Sequence, residues 1–448
     1  MGLCSLRSYG LEAGSLLAFI AICWLGNVTG VSDLALTAMV AIVAAPYLWI
    51  GSLQRLAWLL GALLPVYTLT GTPDLMWDGL RICIIAALLL RAGLSQEAFN
   101  APVVAIASAG LGFIFISAST ADLETARYGA SLLLGVATAA CVGPRLRRSC
   151  LTGFAAGAVA SSGAVLLEVG TGISIGSGYQ GVTGFIGLGS VSTNTGPQLA
   201  LAVAVILLGY TGFNPASAVL MATVVSIGVL MTGSRAGLMT LVLFGCAMLA
   251  SNRLRVIWRV VLVSSLATLV AVGAALSWAA VDRLLDIGAL SVERQSGVDA
   301  GIRFFFASPL LGVHGPIPGV TDLTAQTYIY TTYLNWPAYF GLFGVLAVIC
   351  VFTTLAFGGL PWQVTLMVLF MACLEFDGLL AGGSILPVIL LLSMRDPTSS
   401  PRELASMRAS RFRSGIYRGN PTPSLTRTKL PSRSSQTKVD MQPVWSKC

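Results

Sequence analysis

Three kinds of side chain in this sequence suit anion handling and proton transfer. They are arginines beside apolar runs, a single histidine, and a group of tyrosines. The sharpest feature is Gly233-Ser234-Arg235-Ala236-Gly237, which separates two apolar runs that would otherwise join. A guanidinium presents a planar fork of donors that matches phosphate oxygens two at a time and stays charged at any pH. Beside hydrocarbon that charge costs on the order of a few kcal/mol even on lenient scales. Arg235 is therefore either an anion clamp, with Ser234 beside it, or a snorkelling residue that marks a helix end. Arg283, Arg294 and Arg303 follow in the segment 281–330. They either complete a cationic pocket with Arg235 or pair with Asp282, Asp286, Glu293 and Asp299, and Arg283 fits the second role best. His314 is the only histidine. An imidazole titrates near neutrality and can act as a general base; a lone one is also a common hydrogen-bonded loop residue. Tyr328, Tyr330 and Tyr333 stand where the segment returns to an apolar run. Aromatic residues favour that boundary, and they also stack on sugar rings.

The elements that must position these residues are helices in lipid. The chain has 448 residues, 56% hydrophobic and 10% charged, against about a quarter charged in soluble domains. Its apolar runs approach the roughly 20 residues that cross a bilayer, and lipid satisfies no backbone group, so such runs must be helical. We read an all-α, polytopic transmembrane protein with about 12–14 spans. The approximate spans are 13–30, 33–50, 56–71, 79–95, 101–119, 128–143, 150–170, 196–211, 214–233, 236–251, 257–280, 331–356, 363–377 and 380–394, and the last two alternatively form a re-entrant hairpin. The transmembrane domain covers 1–394 and includes one large outer loop, 281–330, with a short amphipathic helix before Pro309. A second outer segment, Gly170–Thr195, is rich in Gly, Ser and Thr.

Charge supplies the orientation. Arg55, Arg91, the cluster Arg145, Arg147 and Arg148, and the cluster Arg253, Arg255 and Arg259 fall on alternating connections. By the positive-inside rule these connections are cytoplasmic, with both termini. The opposite connections carry Asp33, Asp74, Asp78, Asp122 and Glu124; Arg81 and Arg127 lie near acidic residues that can pair with them. From Arg395 to Cys448 the chain holds 11 Lys and Arg against 3 Asp and Glu, a net +8, while the rest is neutral. This Ser- and Pro-rich segment, 395–448, reads as a disordered, basic cytoplasmic tail, which either contacts anionic lipid or is simply solvated. The basic balance belongs to the tail and gives no argument for nucleic acid.

Several motifs are missing. There is no phosphate-binding loop of the ATPase type and no His-Glu-x-x-His metal pattern. The nine cysteines show neither metal-ligand spacing nor a disulfide framework. Glu168, Glu375 and Asp377 lie near outer helix ends, whereas a proton-coupled carrier more often buries a carboxylate relay at mid-membrane.

The order of these features resembles the O-antigen ligase and O-antigen polymerase superfamily of bacterial envelopes. A similar Gly-Ser-Arg turn between two helices precedes one large periplasmic loop in that family. Arg294 followed fifteen residues later by Pro309-Leu310-Leu311-Gly312 is similar to the family's loop pattern. Tyr333-Leu334, Gly341 and Gly344 resemble its return into the membrane, and Asn194 before Leu199-Ala200 resembles the Asn that opens a span. The resemblance covers about residues 180–350. Ligases of the family carry a His-Asn pair three residues before the Tyr matching Tyr333; here Tyr330 and Thr331 stand there. A polar residue usually precedes the position of Gly341; here it is Phe340. Both departures favour a polymerase.

The resemblance implies glycosyl transfer at the periplasmic face of the bacterial inner membrane, with a glycan on undecaprenyl diphosphate as donor and a second lipid-linked repeat unit as acceptor. Arg235 and Arg294 would stabilise the diphosphate leaving group and His314 would take the acceptor proton, giving the catalytic set. Arg303, Ser234, Asn194, Tyr330 and Tyr333 would bind substrate. No cofactor and no metal is implied; a flippase and a chain-length regulator are implied as partners. Ligase-type transfer to another acceptor, a transporter or flippase of lipid-linked glycans, and a non-catalytic scaffold are the alternatives. A transporter would concentrate polar residues near mid-membrane and show repeated halves.

Overall fold

A computed structural model describes residues 48, 51–66, 74–120, 123–171, 187–189, 192–250, 290–313, 332–374 and 385–394. They form helices and no strand. In chain order these are α1 (Leu53–Leu63), α2 (Asp74–Ala92), α3 (Ala101–Ser119), α4 (Leu123–Thr171), α5 (Ser192–Leu207), α6 (Pro215–Met231), α7 (Arg235–Ala250), α8 (Leu290–Ala307), α9 (Thr332–Phe357), α10 (Trp362–Leu374) and α11 (Ile385–Ser393). The expected spans 13–30 and 257–280, nearly all of 33–50, and the segment 395–448 lie outside the described residues.

Helix starts follow local capping chemistry. The first turn of a helix leaves its N–H groups unpaired, and a short polar side chain just before it accepts from one of them. Ser52 Oγ accepts from the Arg55 amide at 3.3 Å, Asn100 Oδ1 from Val103 at 3.1 Å, and Asn214 Oδ1 from Ser217 at 2.8 Å. Pro102 and Pro215, which lack an N–H, occupy the first turns that Asn100 and Asn214 open.

Side-chain contacts sort the helix ends into two groups. At one end, Arg91 donates to the Leu48 carbonyl at 2.8 Å, Asn100 Nδ2 donates to Ser393 Oγ at 3.0 Å, and Arg147 donates to the Met394 carbonyl. Arg147 also lies over the Tyr210 ring, 5.5 Å from its centroid. At the other end, Gln198 Nε2 donates to the Leu64 carbonyl at 2.9 Å and the Gly187 amide donates to Glu168 at 3.1 Å. We call these the arginine end and the site end.

Two helices are broken by glycine. Gly143 has φ +56° inside α4, and Pro144 opens the second arm where its missing N–H costs nothing. The expected connection 144–149 therefore shrinks to this one residue, and Arg145, Arg147 and Arg148 are helical. Gly341 has φ +57° inside α9. In a straight helix Tyr333 and Phe352 would stand about 28 Å apart, at 1.5 Å per residue; their rings lie 4.9 Å apart. The arm before Gly341 is thus folded back along the arm after it, and the expected single span 331–356 is a hairpin of two arms. Phe113 of α3 locks it, stacking on Phe340 at 3.8 Å and meeting Trp336 edge-on at 5.0 Å.

α5 lies at the centre, packed against α4, α6, α7 and α10; every residue from Thr195 to Ile206 is buried. Outer helices show the reverse. Val104, Leu111 and Phe115 form an exposed stripe along α3, and Leu342, Leu346 and Ile349 another along α9. By length and composition three described helices, Ala101–Ser119, Ala126–Thr171 and Tyr333–Phe357, could cross a membrane, the last two counted across their breaks at Gly143 and Gly341.

Candidate functional site

The Gly233-Ser234-Arg235 turn joins α6 to α7 at the site end. Its backbone is held by its own hydroxyls. Ser234 Oγ accepts from the Gly237 amide at 3.1 Å, which caps α7, and the Ser234 amide donates to Thr232 Oγ1 at 3.3 Å. Thr232 Oγ1 in turn donates to the Val229 carbonyl at 2.7 Å. Ser234 is only 3% exposed, so its first task is to shape the turn. Arg235 follows as the first residue of α7.

This turn rests on the first turn of the central helix. A Cβ on Gly196 would run into the Ser234 side chain, and one on Gly237 would lie 2.6 Å from the Gly196 carbonyl carbon. The two backbones touch because both residues lack side chains. Asn194 precedes Gly196 by two residues, inside α5. The structure therefore brings together two polar motifs separated by about forty residues: the opening of α5 and the Ser234–Arg235 turn.

Further polar groups lie at the same end of the bundle. Gln198, one turn into α5, holds the Leu64 carbonyl. Arg81, 8% exposed, donates from Nη2 to the carbonyls of Leu63, at 3.1 Å, and of Val66. The Leu63 carbonyl also accepts from the Val66 amide at 3.1 Å, so a buried guanidinium and an amide add to the backbone bonding at the end of the helix that Pro65 ends. These described hydrogen bonds of Arg81 go to backbone; the side chains of Asp74 and Asp78, its expected partners, lie outside the described residues. Glu168, also buried, accepts from Gly187, and Ser161 Oγ accepts from Leu188 at 3.4 Å. Thr195 packs against Gly189. Arg81 and Gln198 thus hold the end of α1, and the sequence reading selected neither as a site residue. The signal for Arg81 was an arginine inside an apolar helix, opposite a helix ended by Pro65.

The remaining candidates fall on another part of the structure. α8 carries Arg294 and an exposed Arg303 and packs against α9. Tyr333 is half-buried against Phe352 rather than open to a ligand along its whole ring. His314 and Tyr330 lie outside the described residues, as does Arg283. The side chains of Arg235, Arg294 and Asn194 are likewise outside them, although their backbones are helical.

The Pro309–Gly312 pattern has a definite mechanical role. Where α9 breaks at Gly341, the first arm leaves carbonyls unpaired and the second leaves amides unpaired. The Val313 amide donates to the Ala338 carbonyl at 2.9 Å, and the Leu342 amide donates to the Pro309 carbonyl at 2.7 Å. Gly312, at φ +80°, and Gly341 sit back to back: a Cβ on Gly341 would meet the Leu310 carbonyl carbon at 2.6 Å and one on Gly312 would overlap the Tyr339 backbone. The end of α8 is thus clasped onto the hairpin of α9. No family model matches the chain, and no curated protein matches it.

Proposed function

We propose that this chain is a multi-pass membrane glycosyltransferase that polymerises undecaprenyl-diphosphate-linked repeat units at the periplasmic face of the bacterial inner membrane. The observation that carries the reading is the fixed seating of the Ser234–Arg235 turn on the opening of α5. It sets an arginine at a helix start against the opening of the central helix, at the end of the bundle that also carries Gln198, Arg81 and Glu168. The exposed apolar stripes on α3 and α9 support a lipid surround, because water-soluble proteins rarely leave such stripes bare.

The chemistry is a displacement at the anomeric carbon. An acceptor hydroxyl oxygen attacks C1 of the donor sugar. The bond from C1 to the diphosphate oxygen breaks and the lipid diphosphate departs with that electron pair. The hydroxyl proton passes to a base, for which His314 is the first candidate. Negative charge grows on the leaving diphosphate, so cations placed beforehand lower the barrier. Arg235 is assigned that task, and Arg294 and Arg303, on α8, are the further cations that the resemblance offers. Attack from the face opposite the leaving group inverts the configuration.

A carrier of lipid-linked glycans is the competing reading. The described part of α5 argues against it: Leu199–Ile206, the second half of the central helix, is wholly apolar and buried, whereas carriers place polar groups at mid-membrane. Purified protein in lipid vesicles, given a lipid-diphosphate oligosaccharide and no nucleotide, separates the two. Longer glycans support the polymerase; intact donor moved between leaflets, with no longer product, rejects it.

A further inference from the structure

We infer that α8 is an interfacial helix, lying along the bilayer with one face sunk among phospholipid acyl chains at the site end. Successive residues of a helix turn by 100°, which divides the described end of α8 into three sectors. Ala300 and Gly301 are buried and Phe304 is half-buried, so that side meets the protein. Val298, Ile302 and Phe306, spaced by four, form a second sector that is apolar and bare, reaching 73% exposure at Phe306. Asp299 and Arg303 are exposed on the far flank of that stripe. A helix packed only against protein needs no bare apolar sector, and one in water gains nothing from it. Apolar and charged sectors side by side are what a helix at the headgroup boundary presents.

The occupant follows from continuity. The clasp carries the bare surface from α8 onto α9: Leu310 and Leu311 are 71% and 53% exposed, and the Pro309 carbonyl beside them is bonded to the Leu342 amide. Leu342 opens the exposed stripe that runs on through Leu346 and Ile349, on the apolar arm of α9 that follows Gly341. Exposed apolar residues thus run from the flank of α9 through Leu310 and Leu311 to the flank of α8. The lipid that covers the first covers the second. Arg303, at the edge of the stripe, then stands at phosphate depth, the depth at which a lipid diphosphate would be met. The inference rests on the membrane part of the proposed function and not on the enzymology.

The test is photo-crosslinking in the full chain reconstituted in phosphatidylethanolamine and phosphatidylglycerol vesicles. A genetically encoded benzophenone residue replaces Ile302, Phe306, Asp299 or, as the reference on α9, Leu346, and adducts are identified by mass. We expect phospholipid adducts at Ile302 and Phe306 in yields within about twofold of Leu346, and several-fold less at Asp299. Lipid adducts at Leu346 with none at Ile302 and Phe306 would overturn the interfacial helix and leave the membrane reading standing. Adducts to protein at Ile302 and Phe306 would overturn it in favour of a covering chain or second copy. No lipid adduct even at Leu346 would remove the membrane reading and the inference with it.

Discussion

The Leu342 amide donates to the Pro309 carbonyl at 2.7 Å, and this bond ties the end of α8 to the break in α9. It exists only because Gly341 turns the chain at a φ that other residues rarely adopt. Gly341→Ala and Gly312→Ala should each destabilise the clasp by about 1–3 kcal/mol from backbone strain alone, with added steric overlap. Limited proteolysis should then open the chain near Pro309 while α1–α7 keep their protection. Unchanged cleavage in both variants would deny the clasp its role.

Arg81 and Gln198 together close the end of α1. Arg81→Leu removes the donor to the Val66 carbonyl, while the Leu63 carbonyl keeps the Val66 amide, and Gln198→Leu removes the donor to the Leu64 carbonyl. At about 1–3 kcal/mol for each buried acceptor left unpaired, each variant should lower the thermal midpoint in detergent. An unchanged midpoint in both would show that these hydrogen bonds do not set the stability of that helix end.

Ser234 and Arg235 are neighbours with separable duties. Ser234→Ala removes the cap on α7 and should cost about 0.5–2 kcal/mol. Ser234→Asp, which retains a capping acceptor, should recover much of that loss. Arg235→Ala keeps the cap, so it should fold like the parent and fail in transfer. A thermal midpoint for Arg235→Ala as low as that of Ser234→Ala would mean that the arginine is a structural residue.

Much of the helical frame is legible in the sequence because apolar runs and their caps are local. Asn100 with Pro102, and Asn214 with Pro215, announce the starts of α3 and α6 directly. The amphipathic helix before Pro309 is readable too, and the structure places α8 there. The two breaks are harder. Gly143-Pro144 reads as one end of a six-residue connection, yet a single left-handed glycine suffices. Pro337 and Gly341 were visible inside 331–356, but nothing local says that the first arm folds back, since Phe113, which holds it, lies more than two hundred residues away. The arginines divide in the same way. Ser234–Arg235 stands out by its charge between apolar runs. Arg81 and Arg147 serve carbonyls of distant segments, around Leu63 and at Met394, and such long-range partners have no sequence spacing to betray them. Nor does the order of motifs show that Gly196 and Gly237 touch; it shows only that both are glycine.

Product size in reconstituted vesicles, compared between the parent and Arg235→Ala, tests the central claim most directly. The donor is a lipid-diphosphate oligosaccharide, without nucleotide, and equal amounts of folded protein are confirmed by thermal midpoint. The account predicts a ladder of longer glycans from the parent and a loss of at least about a hundredfold in the variant, the scale of removing one preorganised group from a developing anion. A ladder of undiminished yield from Arg235→Ala, or a parent that only moves the intact donor across the bilayer, would contradict it.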